Sequence, residues 1–452
     1  MGNAHRLHGM TSQLPPGPRA RFPGEFILRA LRDPLDLFIQ LTAEYGDAVG
    51  IGMGRHPLVL LTHPDAVRDV LVTNQKQFVK GHVLERAKIL LGDGLLTSES
   101  ELHLRQRRMM QPAFHRERVA SYAATMVQHA ARARDRWRDG DAFDAHETMM
   151  ALTLAIVGKT LFDADVEGEA SEIGQALNTV MSSFNQMMLP LGPLLFRLPL
   201  RTSRHFHRAR RRLDDTIYRI IAERRASGHD TGDLLSMLLL ATDAEGDGTG
   251  MSDQQLRDEA LTLFLAGHET TANALTWAWY LIARHPDIEA RLHAEVDALG
   301  HEPSFEDLPK LEYTRRVVSE VIRLYPPAWA IGRRAIAPVT IGDHVIPTNA
   351  RVVVSSYITQ RDARWWPDPE TFNPERWLPE PSARRPKFAY YPFGAGTRVC
   401  IGEQFAWTEA VLVIATIAQR WRLWLAPKQR IAMLPQITLR PRYGIQMVAT
   451  RR

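Results

Sequence analysis

Between Ser252 and Ala283 the chain keeps an unbroken helical periodicity, and no other stretch limits the possible folds as tightly. Leu256, Ala260, Leu263, Phe264, Gly267, Thr271, Ala274, Leu275 and Ala278 recur at the spacing of one helix side. Ser252 and Gln255 have the types and separation of a capping box, and His285 followed by Pro286 marks the stop. At 1.5 Å per residue such a helix runs about 48 Å, well over twice the usual length. It has to pass through the interior of a large molecule.

Helical periodicity also appears over 65–73, 101–111, 117–137, 147–162, 210–226, 287–299, 311–324 and 403–420. Runs rich in glycine and aliphatics at 46–61, 337–357 and 436–450 read as minor β structure, the first and last as hairpins. No repeat and no long linker divides the chain. The expected architecture is mainly α with minor β. A short N-terminal tail over 1–20 enters the proline-rich LPPGPRARFP, and one domain covers 21–452.

A chain of 452 residues, 45% hydrophobic and 24% charged, is composed like a soluble globular protein. Its single cysteine excludes an intrachain disulfide, a zinc cluster and an iron–sulfur centre. The N-terminus lacks the apolar core of a secretion signal, and apolar runs such as 410–418 are too short to cross a bilayer. A cytoplasmic protein without a transmembrane anchor is expected. The formal charge is +5, from 56 basic and 51 acidic residues that read as interspersed, with no nucleic-acid reader motif. No nucleic-acid partner is expected; a local basic patch for an acidic protein is the better use of the excess.

AGHETTAN at 266–273 puts a histidine, a glutamate and two threonines in the middle of the long helix, where buried polar groups need a reason. His268 and Glu269 imitate the start of a zinc-protease HExxH pattern, but position 272 is Ala and ends that reading. Two roles stay open for Glu269: pairing with a nearby cation, or carrying protons to a bound ligand with the adjacent hydroxyl of Thr270. Gly267 would let a flat group approach the helix backbone and would weaken the helix locally. Downstream, Glu320 and Arg323 stand at i and i+3 on one helix face, and NPERW at 373–377 supplies Arg376. DAEGDG at 243–248 imitates a calcium loop, but Glu245 and Gln254 break the pattern, and it reads as a solvated acidic turn.

FGAGTRVCIG at 393–402 holds the lone Cys400. The helical pattern of 403–420 begins just after it, where helix N–H groups favour a thiolate. Gly394, Gly396 and Gly402 leave a flat, backbone-lined approach to the sulfur, and Arg398 can neutralise an anionic edge. No local signature supplies the histidine base that a cysteine nucleophile needs. A thiolate against the face of a large, anionic, metal-containing plane fits this run; plain packing is the alternative.

Together these residues resemble the cytochrome P450 family. Phe393, Gly396, Arg398, Cys400 and Gly402 complete its haem-binding signature, and Glu320 with Arg323 matches its Glu-x-x-Arg. Pro374, Glu375 and Arg376 match its Pro-Glu-Arg element; Ala266, Gly267, Glu269 and Thr270 match its oxygen-activation motif. His103, Arg107, Pro112 and Phe114 resemble a further element in which tryptophan is common where His103 stands. Order and spacing agree across nearly the whole chain.

The resemblance implies a triangular helical prism around a buried haem b, with Cys400 as the axial ligand of the iron. It implies that Phe393 packs beside the sulfur and that His103, Arg107, Arg334 and Arg398 bind the haem propionates. Ala266, Gly267, Gly396 and Gly402 would border the haem, and Glu269 and Thr270 would relay protons during dioxygen activation. Glu320, Arg323 and Arg376 would form a buried structural triad.

The same resemblance implies a monooxygenase that inserts one oxygen atom of O2 into a hydrophobic substrate: a fatty acid, a steroid or a terpenoid, carotenoids included. Its pocket would draw on Val83, Leu84, Leu90, Leu91, Phe184, Met187, Met188, Leu263, Phe264, Ala328, Trp329, Ala330 and Ile437. LYPPAW and YITQRD resemble bacterial members that hydroxylate carotenoids and long-chain lipids. Electrons would come to a monomeric enzyme from a ferredoxin and its NAD(P)H-dependent reductase, docking near Arg384, Arg385, Lys387, Arg105 and Arg108. A peroxide-using or rearranging haem-thiolate enzyme and a non-catalytic haem sensor are the alternatives, both disfavoured by the intact Glu269 and Thr270.

Overall fold

The computed structural model describes residues 14–452 except 53–55, most of 164–199, 229–231, 244–245 and 247. The domain expected over 21–452 resolves into two compact units, each assembled from separated segments. One takes Met1–His82, Ala330–Asp362 and Pro386–Val399; the other takes Val83–Trp329, Ala363–Arg385 and Cys400–Arg452.

The smaller unit is built on a five-stranded sheet. Ala48–Ile51 and Leu58–Leu61 form the antiparallel hairpin read at 46–61, with Ala48 opposite Leu61. Leu58–Leu61 then runs parallel to Arg351–Val354, which pairs antiparallel with Ile331–Ala335, and that strand with Phe78–Lys80. Period-2 alternation puts Val59, Leu61, Val352 and Val354 into one core with Val67, Leu71, Phe78 and Tyr391. The N-terminal segment is not a loose tail from Leu14 onward. Gly50 N donates to Pro16 O at 2.9 Å, Pro15 is buried, and a Cβ on Gly17 would lie 1.8 Å from Gly50 O. The missing side chain lets the proline-rich run lie against the first strand.

The larger unit is helical. Its axis is Asp253–Arg284, closed at the start by the expected capping box: Gln255 N donates to Ser252 Oγ and Ser252 N to Gln255 Oε1. Ala145–Phe162, Arg201–Ser227, Glu312–Leu324 and Glu403–Ala418 pack around it. Two stacked pairs fix the packing, Phe162 on Phe264 (4.2 Å, 6°) and Trp277 on Tyr325 (4.1 Å, 10°), each worth about 1 kcal/mol beyond area burial. Arg201–Ser227 begins before the periodicity at 210 shows it, because its arginine-rich first turns bury only Ser203, Phe206 and Ala209.

The last hairpin is corrected. Leu439–Pro441 pairs with Met433–Pro435, whereas Gln446–Arg451 joins Trp421–Leu425 and Ala142–Asp144 in a separate sheet. Alternation marks a strand but not its partner. Asp144 draws the second strand away: it accepts from Gln446 Nε2 at 2.9 Å while also capping Ala145–Phe162. Among the described residues no helix is long and apolar enough to cross a membrane. Asp243 of the calcium-like turn pairs with Arg105 and Arg108 instead.

Candidate active site

From Leu256 to Ile282 the long helix is buried at every residue except Ala266, Gly267 and Thr270. A buried helix that uncovers an alanine and a threonine one turn apart, in its middle, presents an interior face to something other than protein. Thr270 Oγ1 donates to Ala266 O at 2.7 Å, so the hydroxyl is parked on the helix with its lone pairs toward the open side. The role expected for Gly267 changes. A Cβ there would lie 3.0 Å from Val157 Cγ2, so the glycine lets the helix Ala145–Phe162 approach, and the helix runs through it unbroken.

The neighbouring polar residues turn elsewhere. His268 is buried, its Nδ1 3.2 Å from Phe264 O, and burial lowers its pKa, which leaves it neutral. Glu269 is buried and paired with Arg440 at 2.5 Å, and Thr438 Oγ1 donates to the same oxygen at 2.5 Å. Asn273 Nδ2 donates to Thr438 Oγ1 at 3.1 Å and Trp277 Nε1 to Leu439 O at 3.1 Å. Glu269, Asn273 and Trp277 recur every four residues, so one side of the helix grips residues 438–440. Neither Thr438 nor Arg440 was identifiable from sequence.

Cys400 lies just before Gly402, the N-cap of Glu403–Ala418, as expected. Burial pushes the thiol up to about 11, against the smaller lowering effects of the Gly402 N–H and Arg107. The residue is nonetheless exposed by area. The Ser100–Met110 helix carries buried His103 and, one turn on, half-buried Arg107, whose guanidinium is lowered by burial and raised by the charge of Cys400. A soft sulfur, a cation in its field and an uncovered apolar strip bearing one hydroxyl suit a large anionic iron–porphyrin. The residues fit a haem.

In the smaller unit, Arg398 Nη1 donates to Phe78 O at 3.0 Å, and Phe393 is half-buried on the same run. Gly396 has φ 71°, and a Cβ there would lie 2.2 Å from Leu71 O, so loop packing requires the glycine. Gly402, by contrast, has room, with its nearest neighbour, Phe114 Cε1, 3.8 Å from an added Cβ. On Ile331–Ala335 the inward arginine is Arg333, buried beside Ala335, while Arg334 reaches Asn349 Oδ1 at 3.3 Å.

The triad forms as expected. Glu320 and Arg323 are fully buried, and Arg323 Nε and Nη2 donate to the two carboxylate oxygens of Glu320 at 2.8 Å each. Arg376 Nε sits 3.3 Å from the same carboxylate, and Trp377 Nε1 and Asn373 N also donate to it. Arg323 further donates to Pro369 O and Thr371 O, tying the helix to the loop before NPERW. Arg385 lies over Trp366 at 3.9 Å and donates to Arg376 O, so it belongs to this assembly, not to a free surface.

The expected pocket residues divide. Leu90, Leu91, Leu263 and Phe264 are closed off in the core, and Phe264 is taken by its stack on Phe162. Val83 and Ile437 are exposed; Leu84, Ala328, Trp329 and Ala330 are half-buried, with Trp329 Nε1 donating to Gln436 O at 2.8 Å. Phe184, Met187 and Met188 lie outside the described residues.

Residues 15–447 match the family profile described as Cytochrome P450. Cyclooctatin synthase of Streptomyces melanosporofaciens is 42% identical, covering 92% of this chain and 91% of its own. Cyclooctat-9-en-7-ol 5-monooxygenase of the same organism is 40% identical (88% and 86%), and pentalenene oxygenase of Streptomyces avermitilis 38% (88% of each). The crystal structure of the cytochrome P450DA heme domain superposes with a TM-score of 0.88 at 26% identity, over 98% of both chains.

Proposed function

Since the chain belongs to the cytochrome P450 family, and is a haem-thiolate monooxygenase that uses haem b and a hydrophobic substrate, we propose that its substrates are cyclic terpenoids. The observation that carries this reading is the 38–42% identity, over most of both chains, to three terpenoid-modifying enzymes, two of them named as oxygenases. The apolar, accessible Ala328, Trp329 and Ile437 suit such a ligand.

When bound, the haem supplies dioxygen activation, with one oxygen atom entering the substrate and the other leaving as water. Cys400 would hold the iron. His103, Arg107, Arg398 and Arg333 would neutralise the propionates. Arg333 is added beside the expected Arg334 because it is the more deeply buried of the two on Ile331–Ala335, while Arg334 donates to Asn349 Oδ1. Thr270 would supply a proton by swinging its hydroxyl from the Ala266 carbonyl to the open side. Glu269 would join the relay only on leaving Arg440 and Thr438; at rest it holds the strand Leu439–Pro441.

A ferredoxin and its NAD(P)H-dependent reductase, in the cytoplasm, would supply electrons to a monomeric enzyme. Exposed Lys387 remains as a docking charge, since Arg105 and Arg108 pair with Asp243, Arg384 with Glu380, and Arg385 donates to Arg376 O. Titrating the holoenzyme with cyclic terpene alcohols, fatty acids and steroids tests the substrate class through the low- to high-spin shift, with products identified by mass spectrometry. Cyclic terpenoids should give the tightest shift and an oxygenated product. A shift and product only with fatty acids or steroids would overturn the reading.

A further inference from the structure

The basic residues are not evenly spread. The 56 basic side chains exceed the 51 acidic ones by five, and six of them, Arg201, Arg204, Arg208, Arg210, Arg211 and Arg212, fall in one stretch that contains no acid. The rest of the chain is balanced to within one charge. This stretch is the start of the helix Arg201–Ser227, and its inward side is taken by Ser203, Phe206, Ala209 and Leu213. At 100° per residue, Arg201, Arg204, Arg208, Arg211 and Arg212 share the opposite side with His205, and all six are exposed. Arg210 turns toward Asp214 at 3.6 Å, and Asp215 is the first exposed acid on the cationic side. Immediately before the helix, Leu198 and Leu200 are 47% and 45% exposed.

We propose that this face adsorbs the enzyme to an anionic phospholipid bilayer. A single-sign arginine face is attracted to anionic headgroups, each charge adding to the affinity. The two leucines decide between anionic partners. Beside a cationic helix face they gain by entering the headgroup boundary, whereas a nucleic acid or an acidic protein surface leaves them unmatched. The long aliphatic stems of the arginines add to the same effect. Adsorption would hold the enzyme where an apolar substrate of the proposed class concentrates. The binding itself does not depend on that class, so the two readings can fail separately.

The test is co-sedimentation of the holoenzyme with phosphatidylcholine vesicles, alone or with about 30% phosphatidylglycerol, at about 0.05 and 0.5 M salt. Pelleting is expected with the anionic vesicles at low salt and is expected to be lost at high salt. R201E/R208E/R211E should bind at least about tenfold more weakly and L198S/L200S also more weakly, both with an unchanged haem spectrum. No pelleting at low salt, equal pelleting with neutral vesicles, or undiminished binding by the charge-reversed variant would overturn the proposal. So would undiminished vesicle binding by L198S/L200S together with equally tight binding of polyglutamate or heparin, which would assign the face to an acidic macromolecule.

Discussion

The carboxylate of Glu269 lies 2.5 Å from the guanidinium of Arg440, 171 positions later in the chain, in a pair whose acid is 3% exposed and whose base is 18% exposed. One residue of the oxygen-activation motif is therefore spent, at rest, on holding the strand Leu439–Pro441 against the long helix. Removing the base alone leaves a buried charge without its partner, a cost of about 3 kcal/mol. Arg440→Leu should lower the urea midpoint of the holoenzyme accordingly, and Glu269→Gln in the same chain should restore much of it. If Arg440→Leu unfolds at the wild-type midpoint, the pair is not a clamp.

Thr270 presents the one hydroxyl on the uncovered strip. Thr270→Ala should keep oxygen consumption while product per oxygen falls by about tenfold or more, since a positioned proton donor contributes about 10²–10⁴ in rate. Thr270→Ser, which retains the hydroxyl, should stay within a few-fold of wild type. Oxygen electrode traces beside product yields distinguish the two, and unchanged coupling in the alanine variant would remove Thr270 from the relay.

The triad is a matter of folding. Arg323→Lys replaces a two-pronged guanidinium with a point charge in a site with no exposure, and should cost about 3–5 kcal/mol and abolish haem incorporation. Trp377→Phe removes a single donor to Glu320 and should cost about 1–3 kcal/mol while still yielding holoenzyme. Haem content per chain after purification is the readout, and full loading of Arg323→Lys would contradict the structural role.

Arg333 and Arg334 make opposite predictions. Arg333→Leu should accelerate haem loss to an apoprotein acceptor by at least about tenfold, whereas Arg334→Leu should change it little. A reversed order would return the propionate role to Arg334.

Glu409, on the helix that follows Cys400, is fully buried beside Thr271, and burial raises its pKa well above 4.5. The folded state therefore holds its proton more tightly than the unfolded chain. Its contribution to stability is complete below the ordinary glutamate range and is lost as pH rises through the raised folded value. Glu409→Gln should unfold at a higher denaturant concentration than wild type at pH 8 and lose that advantage at pH 4. An identical pH dependence in the two proteins would mean that Glu409 does not carry it.

Local spacing made much of this legible. The cysteine run, the Glu320–Arg323 pair and the capping box at Ser252 all lie within ten residues, and each stands where its pattern put it. What stayed hidden depended on distance or on a single step of register. Thr438 and Arg440 reach Glu269 from the far end of the chain, and nothing near either position announces the other. Arg333 and Arg334 differ by one residue, and the strand, which reverses its face at each step, buries the first and not the second. At Cys400 the helix terminus was visible in the sequence, but the burial that raises the free thiol was not.

The grip on residues 438–440 has a further consequence. Ile437 is exposed, and both its neighbours are anchored, Gln436 through its carbonyl to Trp329 and Thr438 through Glu269 and Asn273. Its side chain stands on a mount that does not shift with what it carries. On the proposed reading, exchanging the residue at 437 would alter the shape offered to a cyclic substrate while the backbone stays in register, so discrimination between ring systems would be retuned there one side chain at a time.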